Sequence, residues 1–189
     1  MKLDKKYPKA RNRNVSDLIV ETLVSEGIKV CFTVTGGGSM FLNDAIGRNS
    51  KIKKFYLHNE QACSMAAEAY AKFRQKPALV CVTTGPGGIN AINGVFGAFT
   101  DSVPMIVISG QVKRETIKSY KNKSFIRQLG DQENDIINMV RGITKKSELI
   151  LNSKNIKNKI KNFIKISKEN RPGPVWLDIP VDIQGMKVK

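Results

Sequence analysis

The sequence predicts an α/β domain, a three-layer open sheet of about six mainly parallel strands with helices on both faces. Three observations support this expectation. Short apolar, largely β-branched runs recur at residues 30–34, 78–82, 105–108 and 175–179 of the 189-residue chain. Between them lie stretches whose apolar residues return every three or four positions, the period of a helix packed on one side. The runs do not alternate with polar residues, which suits strands covered on both faces by helices.

Residues 1–14 are polar and basic and are expected to form an arm. Asn14 or Ser16 can cap a first helix with Leu18, Ile19, Leu23 and Val24 on its apolar face, and Gly27 is its left-handed stop. The first strand, 30–34, ends in Gly36-Gly37-Gly38-Ser39. A helix is expected over 40–46 and a strand over 53–57. A further helix runs from Glu60 to about Arg74, with Met65, Ala69 and Phe73 on one face. After the strand 78–82 comes Thr83-Thr84-Gly85-Pro86-Gly87-Gly88-Ile89-Asn90, then a helix expected to bury Ile92, Val95, Phe96 and Phe99. Residues 113–130 lapse into a polar, basic segment long enough for a functional loop. A short helix near 133–140, a strand near 148–151, a lysine-faced helix within 154–168 and a last strand at 175–179 complete the pattern.

Composition narrows the function classes. Hydrophobic residues make up 41%, no apolar run approaches the roughly 18 residues needed to span a bilayer, and residues 1–14 carry no apolar signal core. A soluble, cytoplasmic protein with no membrane partner is expected. Cys31, Cys63 and Cys81 sit in or beside apolar segments at spacings that match no metal pattern, so buried free thiols and no metal site are expected. The net charge of +16 raises the question of nucleic acid, but the lysines are scattered and densest where Ile156, Ile160 and Phe163 keep helical spacing. A solvated helix face accounts for them, and no nucleic-acid partner is expected.

The chemistry centres on two loops that follow strands, since such loops line the crevice at the carboxyl ends of a parallel sheet. One opens with His58-Asn59-Glu60-Gln61 and the other is Thr83 to Asn90. They should face the same space. The glycine-rich turn could cradle a phosphate on helix amides, yet it matches neither the P-loop nor the dinucleotide fingerprint. A tight turn packed under a helix explains it equally well. Glu60 near a helix start is either an acid/base group or a carboxylate favoured by the helix dipole.

Several motifs in order resemble the pyrimidine-binding domain of thiamine-diphosphate enzymes, most closely the amino-terminal domain of acetolactate-synthase-like proteins. They are Gly36-Gly37-Gly38, His58-Asn59-Glu60-Gln61 with Ala66-Ala67-Glu68-Ala69-Tyr70-Ala71, and Thr84-Gly85-Pro86-Gly87-Gly88-Ile89-Asn90. Asp101-Ser102-Val103-Pro104, Ile108-Ser109-Gly110-Gln111, Gln128-Leu129-Gly130-Asp131-Gln132-Glu133 and Arg171-Pro172-Gly173-Pro174-Val175 continue the match. The resemblance covers about residues 15–184, so that 15–185 is expected to be the pyrimidine-binding domain and 186–189 a tail.

The resemblance implies thiamine diphosphate as cofactor and a 2-keto acid as substrate, for decarboxylation or carboligation. Glu60 would hydrogen-bond a ring nitrogen of the aminopyrimidine and favour its protonated form. Ala62, Cys63 and Ala66 beside it are small enough to permit an apolar wall. Gly37, Thr84, Gly85, Pro86, Gly87 and Asn90 would pack around the pyrimidine and the domain interface, which replaces the phosphate cradle. Gln132 and Lys145 align with residues near the active site or its entrance. Diphosphate and magnesium would belong to a separate domain carrying a Gly-Asp-Gly motif, and a flavin, where relatives have one, to a middle domain. The stretch is then half of a catalytic site and pairs with itself and with a diphosphate domain. Asn59 and Phe41 stand where relatives commonly carry histidine, and neither titrates near neutrality. They favour the alternative, a non-catalytic truncated remnant acting as a dimerisation or interaction module.

Overall fold

A computed structural model describes residues 13–122 and 125–188; apart from Arg13 and Asn14, the expected arm lies outside them. The elements in chain order are α1 (Val15–Ser25), β1 (Val30–Thr33), α2 (Met40–Arg48), β2 (Lys53–Tyr56), α3 (Glu60–Arg74), β3 (Leu79–Val82) and α4 (Pro86–Thr100). There follow β4 (Met105–Gln111), α5 (Ile136–Val140), β5 (Lys146–Leu149), α6 (Ile156–Lys168), β6 (Pro174–Pro180) and α7 (Val181–Gln184). The six strands form one sheet in the order β2-β1-β3-β4-β6-β5, and every pairing is parallel. This is the expected α/β architecture.

Alternate strand residues feed two cores. Cys31, Leu79, Ile106 and Leu177 pack under α1, α2 and α6, while Phe32, Val80, Val107 and Trp176 pack under α3, α4 and α5. Burying each large apolar side chain stabilises the fold by about 2 kcal/mol, which is why the central strands read as unbroken apolar runs. The edge strand β2 is largely exposed, and Phe55 on it stacks on Phe32 of β1 with ring centroids 5.2 Å apart.

Asn14, of the two expected caps, starts α1: its side chain accepts from Asp17 N–H, and Asp17 accepts in return from Asn14 N–H, both at 3.0 Å. Ser16 is instead buried and donates to the Gln184 carbonyl. Gly27 follows the helix at φ +90°. The three cysteines are free and buried, as expected.

Two expectations need correction. Of the four residues expected to be buried on α4, Phe96 and Phe99 are 53% and 36% exposed, and Ile92 is half-buried. The helix turns Ala91, Gly94, Val95 and Ala98 inward instead. Gly94 lies so close to α3 that a Cβ there would meet Ser64 Oγ at 2.4 Å. A close helix crossing selects the small-residue stripe and leaves the aromatic one outside. On α3, Met65, Ala69 and Phe73 do share a face, and it is the exposed one. The second correction is to β5, which begins at Lys146 because pairing with β6 starts there, Lys146 opposite Val175. An edge strand tolerates such polar residues.

Candidate functional site

The chain leaves β1 toward one edge of the sheet and leaves β3 toward the other, so a crevice opens between their carboxyl ends. An open cleft of about 650 Å³ lies there, with Gly37, Thr83, Thr84, Gln111 and Gln132 among its walls.

The turn after β3 builds one wall. Thr83 Oγ1 accepts from Gly38 N–H at 3.1 Å, and Thr84 Oγ1 donates to the Gly110 carbonyl at 3.0 Å, tying three strand ends together. Gly110 must lack a side chain, since a Cβ would lie 2.1 Å from the Gly38 carbonyl oxygen. Gly85 has φ +63° and ψ −119°, a conformation open essentially to glycine alone. Its missing Cβ also makes room for the Gln132 carbonyl, which would stand 2.4 Å away. Pro86 then begins α4 at the position where its absent N–H costs nothing.

Beside this wall, α3 begins. Asn59 caps it, its side chain accepting from Ala62 N–H at 3.1 Å, and Glu60 is the first helical residue. Asn90, one turn into α4, donates from Nδ2 to Glu60 Oε2 at 2.8 Å. Gly87 joins this pair to the cleft wall: a Cβ on it would lie 2.8 Å from Thr83 Cγ2 and 3.3 Å from Glu60 Oε1. Cys63, behind Glu60, is pushed up to about 12 by burial and by the Glu60 charge. The Phe41 ring rests against Gly185, between α2 and the turn after α7.

Beside the cleft, β4 and β6 present polar residues toward their carboxyl ends, of which Gln111 lines the cleft itself. Ser109 donates to Asp178 Oδ1 at 2.6 Å and Gln111 to Asp178 Oδ2 at 2.8 Å. Burial pushes the Asp178 carboxyl up to about 7, against the lowering pull of these two bonds. Gln184 donates to the Gly38 and Ile179 carbonyls, and its buried Oε1 meets no donor among the described residues.

Of the residues singled out from sequence, Gly37, Thr84, Gly85 and Gln132 come together at the cleft. Glu60, Gly87 and Asn90 form an adjoining group. Lys145 is not among them. It precedes β5, at the amino edge of the sheet, and its Nζ donates to the Ile166 and Glu169 carbonyls at the end of α6. Sequence reasoning passed over Asp178, and quoted Gln111 only as part of a motif. The available signal was a polar side chain at the end of an unbroken buried strand, where it must find partners. Among the described residues no three His, Cys, Asp or Glu side chains gather to hold a metal, and no helix is long and apolar enough to cross a membrane.

Comparison with known proteins adds to this geometry. Residues 13–139 match the family described as "Thiamine pyrophosphate enzyme, N-terminal TPP binding domain". The chain is 36% identical over 172 residues to the chloroplastic acetolactate synthase of Arabidopsis thaliana, covering 91% of this chain and 24% of that protein. It is 36% identical over 167 residues to the acetolactate synthase large subunit of Haemophilus influenzae, covering 88% of this chain and 28% of that one. The chain thus spans about a quarter of the length of these relatives.

Proposed function

Because the chain belongs to the thiamine pyrophosphate enzymes, as their N-terminal TPP binding domain, we propose that it is the thiamine-diphosphate-binding half of an acetolactate-synthase-like enzyme acting on 2-keto acids by decarboxylation and carboligation. A separate domain or subunit supplies the diphosphate and magnesium site. The observation that carries this reading is Glu60 at the start of α3, oriented by Asn90 beside the cleft wall.

The cofactor's aminopyrimidine fits this carboxylate. Asn90 holds Oε2, and among the described residues nothing donates to Oε1, which leaves an acceptor for a protonated ring nitrogen. Bound thiamine diphosphate supplies the electron sink for breaking a bond beside the keto carbon. The chain's own share is to place and charge that ring. Glu60 keeps the ring nitrogen protonated, and Asn90 stops the carboxylate from turning away. Gly37, Thr84, Gly85, Pro86 and Gly87 would supply the close backbone wall that holds the ring, with Gln132 at the rim. Self-association is part of the proposal, and the exposed stripe of Ile89, Phe96 and Phe99 with Met65 and Phe73 supplies apolar surface for it.

The test is carbon dioxide release from pyruvate by the chain co-expressed with a diphosphate-binding domain of an acetolactate synthase, with thiamine diphosphate and magnesium. Glu60→Gln is expected to abolish turnover while the fold survives; near-normal turnover would remove Glu60 from this role. A second reading, a non-catalytic dimerisation or interaction module, draws on Asn59, whose side chain serves as a helix cap, and on Phe41, which packs on Gly185. An assembly that forms yet binds no thiamine diphosphate would favour it.

A further inference from the structure

Ser109 and Gln111 of β4 and Trp176 and Asp178 of β6 lie side by side, Ser109 opposite Asp178 in the strand register. Their hydrogen bonds converge. Trp176 Nε1–H donates to Ser109 Oγ at 2.8 Å, Ser109 donates to Asp178 Oδ1 at 2.6 Å, and Gln111 Nε2–H donates to Asp178 Oδ2 at 2.8 Å. Both carboxyl oxygens accept, the pattern of an ionised acid. Asp178 is 2% exposed and among the described residues no cation pairs with it, so there these donors alone oppose the cost of burying its charge.

Gln111 also reaches outward. Its Nε2 donates to the Asn134 carbonyl at 3.0 Å, and its Oε1 accepts from Val112 N–H at 3.0 Å. The carboxamide therefore has one orientation: turned over, Nε2 would face a donor and Oε1 two acceptors. Asn134 sits in the segment 130–135, whose Gln132 stands at φ +58° with its carbonyl over Gly85. Within that segment Glu133 accepts from Lys118, Leu129 and Gly130 N–H, all of the polar loop. Among the described residues, the bond from Gln111 to Asn134 is the hydrogen bond that joins this segment to the sheet.

We propose that Asp178 is a positioning residue: through the Gln111 carboxamide it holds the segment 130–135, and Gln132 with it, against the Gly85 turn at the mouth of the cleft. A carboxylate acceptor makes the bond from Gln111 charge-assisted and stronger than a neutral one. Protonation takes that assistance away, and the proton is accommodated on the Oδ1 side, where the Ser109 hydroxyl can rotate. The titratable groups facing Asp178 across its small cavity of about 160 Å³ are Lys118, Arg127, Glu133 and Asp135. Asp135 opposes its ionisation. The consequence for catalysis rests on the cleft being the cofactor site, but the positioning itself can be read with no cofactor present.

The experiment is amide hydrogen exchange on the full chain between pH 6 and 8, expressed as protection so that intrinsic rates cancel. In the wild type, protection over 130–136, taken relative to that of β1 and β3, should rise with pH as Asp178 ionises. Gln111→Met, similar in length and unable to bond, should lower protection there about ten-fold and leave β1 and β3 unchanged. Asp178→Asn keeps an acceptor for Gln111 but should flatten the pH dependence. Wild-type protection in Gln111→Met, or a wild-type pH profile in Asp178→Asn, would overturn the proposal. Should either variant fail to fold, a flat wild-type profile would overturn it and a rising one would support it. A failure of thiamine diphosphate to bind leaves these readouts untouched, so the two ideas fall separately.

Discussion

Asn90 Nδ2 lies 2.8 Å from Glu60 Oε2, a bond between two residues thirty positions apart on neighbouring helices. It fixes the Glu60 carboxylate beside the cleft wall by a donor from the first turns of α4. That helix is in turn anchored through the Gly85 turn to the end of β3. The orientation of the proposed catalytic group thus depends on how two helices cross.

Asn90→Ala should leave stability close to that of the wild type, because alanine is the better helix former. It should lower turnover of the assembled enzyme about ten-fold, the expected loss of one hydrogen bond to a charged group. Steady-state kinetics beside a thermal melt check this. Unchanged kinetics would mean that Glu60 keeps its orientation without Asn90.

Gly85→Ala should destabilise the chain by about 2 kcal/mol or more, since alanine must adopt a backbone conformation reserved for glycine. Its Cβ would also press on the Gln132 carbonyl. Urea denaturation of the two proteins measures the difference. A loss below about 0.5 kcal/mol would show that the segment around Gln132 yields easily.

Asp178 predicts a pH dependence of stability. Its value rises from 3.8 to about 7 on folding, so folding disfavours the ionised form. The group's contribution is whole below about pH 4 and is lost as pH climbs through about 7. At most about 4 kcal/mol is at stake. The stability of the wild type relative to Asp178→Asn should therefore fall between pH 5 and pH 8 in chemical denaturation. A constant difference would place the carboxyl in a better solvated state than its burial implies.

Phe96→Asp should change the stability of the isolated chain by less than about 0.5 kcal/mol, as for other exposed positions. It should abolish self-association if the outer stripe of α4 is the contact. Sedimentation velocity over a range of concentrations reads the outcome. Assembly equal to the wild type would move the interface elsewhere.

Much of this molecule was legible in its residues because the information was local. An apolar run bounded by glycine or proline has little choice but to be a covered strand, and α3 was expected to begin at Glu60 because a small-residue periodic stretch starts there. The stripes of α4 were harder. Ala91, Gly94 and Ala98 have the same helical spacing as Ile92, Phe96 and Phe99, and only the close approach of Ser64 on α3 decides which stripe goes in.

The sequence by itself determined the α/β class, the elements and the two loops that carry the candidate chemistry, since propensity, periodicity and turn residues act over a few positions. Tertiary structure alone decided the partners: Asp178 beside Gln111 at a separation of 67 residues, Asn90 on Glu60, and Lys145, at the amino end of β5, on the carbonyls that end α6. These depend on strand order and register. They are set by how the whole chain buries its apolar surface, and no local pattern encodes which polar groups then meet.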